Sequence, residues 1–505
     1  MNLTKRYKWS LVTSYGVLLM QILSAALSIP LALSYLDREL FGVWMLIGQI
    51  FVFYQLIDVG FSEAFVRLLI EFKERGPDSY AKGVKTALVV FCCQGLLVLI
   101  ASAILIPLLP EWLALPARHT LIFKQVMLAQ AVVFAGMNIF RIFDQILFAA
   151  QRLDVSNLAN IVATPVSLLG IWLGLVAGWG IWSMFVGGLV LAAVLACFRV
   201  VSCHRLGLWK REFLTASFDR DQFVEIFTYG KDRFLATMGD RSLRVVPGFL
   251  ITRFLGLEAN GAWAVAQRVV MLAEQLLSKP VDMAYTFLAR MYIGGDGEAL
   301  NRRYSQLVKV VAASVGIAAC GIATGLSPLV EVWTGGEIYL GFEASAAFAL
   351  WFVAVMVKRT LWPAVTIPKD MGWTRVTNLI DLGALSLAAV LFFNETTPLW
   401  AFVLLLSLVT FGSSVPYMLS RAKSFPESGE CVRLGMRYLP LVVGVFFAFA
   451  GWFSQERNHG GHLVFQFIVA VLSTLLAAIL SFFLNPELRR WAQLQIPWLK
   501  HSSSS

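Results

Sequence analysis

The stretch from Phe223 to Gly256, FVEIFTYGKDRFLATMGDRSLRVVPGFLITRFLG, decides how this chain must be read. It is long enough to cross a bilayer, whose apolar core takes about 20 helical residues. Yet it carries Arg233, Arg241 and Arg244 near its middle. An arginine at the centre of a membrane helix costs about 2.5–3.5 kcal/mol, while each Leu, Ile, Phe or Val returns only about 0.3–0.6 kcal/mol. The three arginines outweigh their apolar neighbours. Such a helix must line a wet cavity or pair with other helices, and a fixed positive charge there suits an anion.

The rest of the chain agrees with a membrane setting. Of 505 residues, 58% are hydrophobic and only 14% charged, against about 25% charged in soluble proteins. Reading for apolar runs of spanning length gives fourteen segments, at 9–35, 41–70, 84–106, 121–149, 156–177, 181–201, 225–251, 261–288, 305–326, 344–367, 376–393, 399–418, 438–453 and 463–484. The basic start Lys5-Arg6-Tyr7-Lys8 has the look of a signal peptide, but the apolar run after it is too long and ends in no small-residue cleavage site. It is expected to be an uncleaved first span. With the N-terminus inside, about 25 Lys and Arg fall in cytoplasmic segments and about 4 outside, so both termini are expected in the cytoplasm.

Forty-one basic residues against thirty-one acidic give a net charge of +10. They are spread over many short loops, which argues against nucleic acid as a partner. The six cysteines (Cys92, Cys93, Cys197, Cys203, Cys320, Cys431) indicate no disulfide framework. No P-loop, zinc motif or Gly-x-Ser-x-Gly is present, and the five histidines lie in loops or the tail. No enzyme activity, cofactor or metal is expected.

A weak internal echo supports two parallel repeats: Pro30 followed by Gly42-Val43-Trp44 is matched by Pro247 followed by Gly261-Ala262-Trp263, and Asp58 to Arg67 loosely parallels Asp282 to Arg290. The expected organisation is an N-lobe of six spans (1–201), a cytoplasmic linker (202–223) and a C-lobe of six spans (224–418). Two further spans (419–484) and a cytoplasmic tail (485–505) follow. The fold class is all-α and polytopic.

Helical spacing sorts the intramembrane polar residues into stripes. Arg233, Thr237, Asp240 and Arg244 fall within about a 60° arc at 100° per residue, with Arg241 at its edge, which makes Arg244 the stronger candidate of that pair. Arg268, Gln275, Lys279 and Asp282 make a comparable stripe. Others are Ser10, Ser14, Gln21, Ser24 and Ser28; Asn138, Arg141, Gln145 and Arg152; and Gln49, Glu63 and Arg67. One stripe per helix is what a central hydrated cavity requires. Some of these charges fit simpler roles equally well. Arg67, Arg152, Lys231 and Lys358 are placed to snorkel to the interface, and Asp240–Arg244 and Glu63–Arg67 are spaced as structural ion pairs. Arg241, Arg244, Arg268 and Lys279 lie deeper, with too few carboxylates to neutralise them, and suit a phosphate or pyrophosphate. Asp58, Asp144, Asp240 and Asp381 are the candidates for ion coupling. Pro30, Pro165, Pro247-Gly248, Pro280 and Pro363 serve either as hinges or as static kinks.

The stretches Leu36-Asp37-Arg38-Glu39-Leu40-Phe41-Gly42-Val43-Trp44, Leu56-Ile57-Asp58-Val59-Gly60-Phe61-Ser62-Glu63-Ala64 with Arg67, and Phe254-Leu255-Gly256-Leu257-Glu258-Ala259-Asn260-Gly261-Ala262-Trp263 with Ala264-Val265-Ala266-Gln267-Arg268 resemble bacterial polysaccharide flippases of the O-antigen and teichuronic-acid type. These belong to the multidrug/oligosaccharidyl-lipid/polysaccharide (MOP) superfamily. The resemblance implies two six-helix bundles around a cationic cavity, with two extra C-terminal helices. It implies translocation of an undecaprenyl-pyrophosphate-linked oligosaccharide across the bacterial inner membrane, with membrane lipid and polysaccharide-assembly proteins as further partners. It also implies pyrophosphate and sugar contacts from Arg233, Arg241, Arg244, Arg268, Lys279, Arg141, Gln21 and Gln275. The first span carries serines and Gln21 where related lipid II flippases place arginines, so the binding charge falls mainly on the seventh and eighth spans. A multidrug exporter of the same fold and a membrane glycan polymerase or ligase are the competing readings. Net basic stripes disfavour the first, and the lack of a large external loop disfavours the second.

Overall fold

The computed structural model describes residues 3–54, 61–368 and 374–422. Within them the chain is helical, without strands. The first helices are α1 (Leu3–Leu33), α2 (Arg38–Tyr54), α3 (Phe61–Glu74), α4 (Pro77–Trp112), α5 (Ala117–Ala149), α6 (Leu153–Val176) and α7 (Trp182–Arg205). A short α8 (Glu212–Thr215) precedes α9 (Arg220–Leu255), α10 (Leu257–Ile293), α11 (Gly297–Trp333) and α12 (Gly341–Thr366). Last come α13 (Thr374–Phe392), α14 (Leu399–Gly412) and α15 (Ser414–Ala422).

Among the described residues, eight segments are long and apolar enough to cross a membrane. Their outward faces say the same. Leu96, Leu97, Ile100 and Ile104 on α4 are exposed, as are Leu387, Val390, Leu391 and Phe392 on α13. Apolar surface on this scale is held by lipid rather than water. Neither α9 nor α10 is among the eight, because their charges offset their apolar residues.

Local chemistry sets the helix boundaries. Pro77 opens α4, where its missing N–H is no loss. The Asp219 carboxylate caps α9, accepting from the backbone N–H groups of Asp221 at 3.0 Å and Gln222 at 3.1 Å. Gly256, at φ 93°, is the single residue between α9 and α10, a left-handed conformation that a side chain would strain. The run 399–418, expected as one span, is interrupted at Ser413, which separates α14 from α15.

The chain forms two compact units, Met1–Gly261 and Ala262–Ser505. In the first, α4 packs on α5, α6 on α1 and α7, and α9 on α2 and α3. Phe65, Phe72, Phe91, Ile142, Ile146, Cys203 and Ile226 form one of its cores. The segment 202–223, expected as a linker, folds onto this unit. Trp209 packs on Phe143 with ring centroids 4.6 Å apart, and Phe213 packs on Tyr80 at 5.6 Å. The Lys85 ammonium donates to the Leu214 carbonyl at 2.8 Å. In the second unit α12 is central, against α11, α14 and α15. Trp263 is fully buried there, with its ring 5.3 Å from those of Phe348 and Trp351.

The glycines of the internal echo come together. A Cβ built on Gly42 would lie 2.2 Å from the Leu257 carbonyl oxygen, and one on Gly261 would lie 3.2 Å from the Phe41 ring and 3.8 Å from the Gly42 Cα.

Candidate functional site

Two ends of the first unit tie α2 and α3 to α9 and the first turn of α10. At one end is the Gly42–Leu257 approach, followed by a hydrogen bond from Gln49 Nε2 to Asn260 Oδ1 at 3.0 Å. Gln49 Oε1 and Asn260 Nδ2 are buried there without partners among the described residues. Nearby, Glu39 at the start of α2 holds Arg118 and His119 at the start of α5, with 2.8 Å between Glu39 Oε2 and His119 Nε2. The hydrogen bond from Arg118 holds the Glu39 carboxyl below the usual carboxylate range, against the opposing effect of burial. At the other end Arg75, after α3, donates twice to Glu225 on α9, at 3.1 and 2.9 Å. That pair is exposed, and Glu225 raises the Arg75 guanidinium above its ordinary value.

Inside the first unit the charged residues answer one another. Asp144 on α5 accepts from Ser156 Oγ at 2.5 Å and lies 3.2 Å from Arg199 Nε on α7, with all three largely shielded. Arg141, one turn earlier and half-buried, adds its field to Arg199. Arg152 is held by Asp154 at 3.0 and 3.2 Å, a local pair at the start of α6. Gln21 is exposed on α1, and Arg244 is half-buried on α9 with interactions of its own. Arg199, paired with Asp144, is one charged residue that the sequence does not single out. Its one signal was an arginine near the end of an apolar run with Asp144 elsewhere to pair it, and nothing in the sequence joins the two.

The second unit carries the exposed cationic face. Arg268, Gln275, Lys279 and Asp282 are all exposed on α10, while Trp263, Ala266, Val270 and Val281 on the same helix are buried. The spacing that predicts one stripe therefore does place these four on one face. Arg268 and Lys279 have no hydrogen-bonding or ionic partner among the described residues. Asp282 is bound by Arg359 of α12 at 2.5 Å, so three cations share the face with one carboxylate. Such a face can bind a polyanion. Arg359 is not singled out by the sequence either, because its partner Asp282 lies on another helix. Lys358 does not snorkel. It is buried and donates to Asn378 Oδ1 at 2.5 Å. Close by, Asp381 is fully buried and accepts from Ser414.

Asp58 lies outside the described residues, as do the side chains of Arg233, Asp240, Arg241, Glu63 and Arg67. No group of three or more His, Cys, Asp or Glu placed to hold a metal occurs among the described residues.

A family model described as "Polysaccharide biosynthesis protein" (Polysacc_synt_3) matches residues 16–337. No curated protein matches the chain. Among solved structures it is similar to the lipid II flippase MurJ in an inward closed conformation, at 13% identity and a TM-score of 0.69, over 94% of this chain and 99% of that one. It is similar to a multidrug resistance MATE transporter of the MOP superfamily in its inward-facing conformation, at 13% identity and a TM-score of 0.65, over 80% and 94%. The outward-facing form gives 14% identity and a TM-score of 0.54, over 84% and 96%. At these identities the likeness is one of fold, and the neighbours that share it are a flippase and transporters. The family match covers more than half of the chain, and this protein is a polytopic membrane member of the polysaccharide biosynthesis protein family.

Proposed function

We propose that the protein moves a lipid-linked oligosaccharide, carried on undecaprenyl pyrophosphate, from the cytoplasmic to the outer leaflet of a bacterial inner membrane. The glycan would be a cell-surface polysaccharide of the O-antigen or teichuronic-acid kind. The observation that carries this reading is the exposed stripe of α10, where Arg268 and Lys279 stand without partners among the described residues and Arg359 adds a third cation. A pyrophosphate offers those groups several charge-assisted hydrogen bonds at once. Gln275, on the same face, suits a sugar hydroxyl. The prenyl chain stays in lipid, so only the head group meets this stripe. Both termini are placed in the cytoplasm by the loop charges. That orientation assigns the Gly42 end to the outer side and the Arg75 end to the cytoplasmic side, and alternating access opens them in turn.

The test is restoration of surface polysaccharide in a strain lacking its flippase, with Arg268→Ala, Lys279→Ala and the double variant at matched membrane levels. Each single variant is expected to lower export several-fold and the double to abolish it. Wild-type export by the double variant would remove the α10 stripe from the site. The multidrug reading of the same fold is disfavoured by this face, since cationic drugs need the opposite sign of charge.

A further inference from the structure

One carboxylate sits on the cationic face of α10, where a surface that binds anions has no evident use for it. Asp282 follows Lys279 by three residues, which makes the two neighbours on the helix surface. Arg268 lies fourteen residues from Asp282, about 21 Å along the axis, so the acid belongs to the Lys279 end of the stripe. Its Oδ1 accepts from Arg359 Nη2 on α12 at 2.5 Å. The two side chains keep 42% and 39% of their surface exposed. Burial therefore does not demand this pair, in contrast to Asp144 and Arg199, which neutralise each other at 18% and 14% exposure. Lys358, beside Arg359, is buried and donates to Asn378, so it adds no charge to the face. An exposed ion pair gives up its contacts to water or to another anion at little net cost. Arg359 is thus an exchangeable cation, and Asp282 occupies the place that a phosphate oxygen would take.

We propose that Asp282 is a specificity-determining residue: an internal competitor for Arg359 that admits a pyrophosphate and turns away the singly charged phosphodiesters of bulk lipid. This rests on the reading of the α10 stripe as the head-group site. Phospholipids with one phosphodiester outnumber any lipid carrier in a membrane, and free Lys279 and Arg359 side chains would clamp them. With Asp282 present, a single phosphodiester must displace one carboxylate to gain one guanidinium, an exchange of like for like. Otherwise it settles on Lys279 alone, beside a repelling carboxylate. A pyrophosphate brings two anionic groups on one molecule. One binds Lys279, and the other then competes for Arg359 at high effective concentration, through the charge-assisted hydrogen bonds that phosphoryl oxygens accept from a guanidinium. The released Asp282, being exposed, returns to water. Specificity is a difference of affinities, and an unfavourable contact against the abundant competitor supplies it.

The test measures binding of two probes, undecaprenyl pyrophosphate and phosphatidylglycerol, to the full chain in phosphatidylcholine nanodiscs. The wild type should prefer the pyrophosphate lipid at least tenfold. Asp282→Asn should gain phosphatidylglycerol several-fold and cut that preference at least fivefold, while Asp282→Glu should keep it. Arg359→Gln should weaken the pyrophosphate lipid several-fold and move phosphatidylglycerol little. In the Asp282→Asn, Arg359→Gln double variant, the Asp282 substitution should have no further effect on the ratio, because the two residues act through one contact. Loss of fold would lower both affinities together, whereas the proposal requires one to rise. A selective wild type whose preference survives in Asp282→Asn would overturn the selector and leave the α10 stripe as the site. A wild type without preference for the pyrophosphate lipid would overturn both.

Discussion

The two ends of the first unit are closed by different physics. At the Gly42 end a helix backbone meets the Leu257 carbonyl so closely that no Cβ fits, and Gln49 and Asn260 share one hydrogen bond in a dry setting. At the Arg75 end closure rests on one exposed ion pair, Arg75–Glu225. Backbone packing has no partial form, whereas an exposed ion pair trades its contacts for water at little net cost. The difference teaches that one end is built to fit and the other to let go.

The largest effect is expected at Gly42. Gly42→Ala would place a Cβ 2.2 Å from a backbone oxygen, an overpacking that typically costs about 1–3 kcal/mol. Thermal unfolding in detergent should fall, and export with it. Gly48→Ala is the control, because its Cβ would meet only Met184 Cε at 3.9 Å. Equal melting temperatures for the two variants would break the distinction between the ends. Next in size is Asn260→Ala, which leaves the Gln49 amide buried without its acceptor, a loss of about 1–3 kcal/mol. A Gln49→Leu, Asn260→Leu double variant should recover most of it in a double-mutant cycle.

A smaller effect follows pH. The Glu39 carboxyl is held below its ordinary value by Arg118. Its contribution is therefore complete above the unfolded-state value, about 4.3, and is lost as pH falls through the lower folded-state value. Glu39→Gln should lower the melting temperature at pH 7 more than in strong acid, so melting at neutral and acid pH should differ less in the variant than in the wild type. Smallest is Arg75→Ala. It should leave the melting temperature unchanged within error, yet remove the salt dependence of labelling at a cysteine placed near Glu225. A large drop in melting temperature would show that this end is a structural joint after all.

Much of this was legible in the residues. The apolar runs and the low charged fraction of 14% predict an all-α membrane protein, and the helical structure bears that out. The stripe of α10 was legible because a regular helix turns spacing directly into direction. Arg199 and Arg359 were not, since their partners Asp144 and Asp282 lie on other helices, 55 and 77 residues away in the chain. The two readings of Lys358 stayed open for a related reason. Its apolar surroundings and helix-end position fit a snorkelling residue until Asn378 and Asp381 are placed beside it.

What the sequence by itself determined is the solvent and the secondary structure: apolar length demands lipid, and lipid demands helices. It also set which face of each helix is polar. Only the tertiary structure decided which charges neutralise one another and which remain to meet a ligand. It paired Asp144 with Arg199, bound Asp282 to Arg359, and left Arg268 and Lys279 exposed without partners among the described residues. The physical reason is range. Hydrophobic periodicity acts between residues three and four apart, while ion pairing is settled by groups brought within about 4 Å by helices distant in sequence.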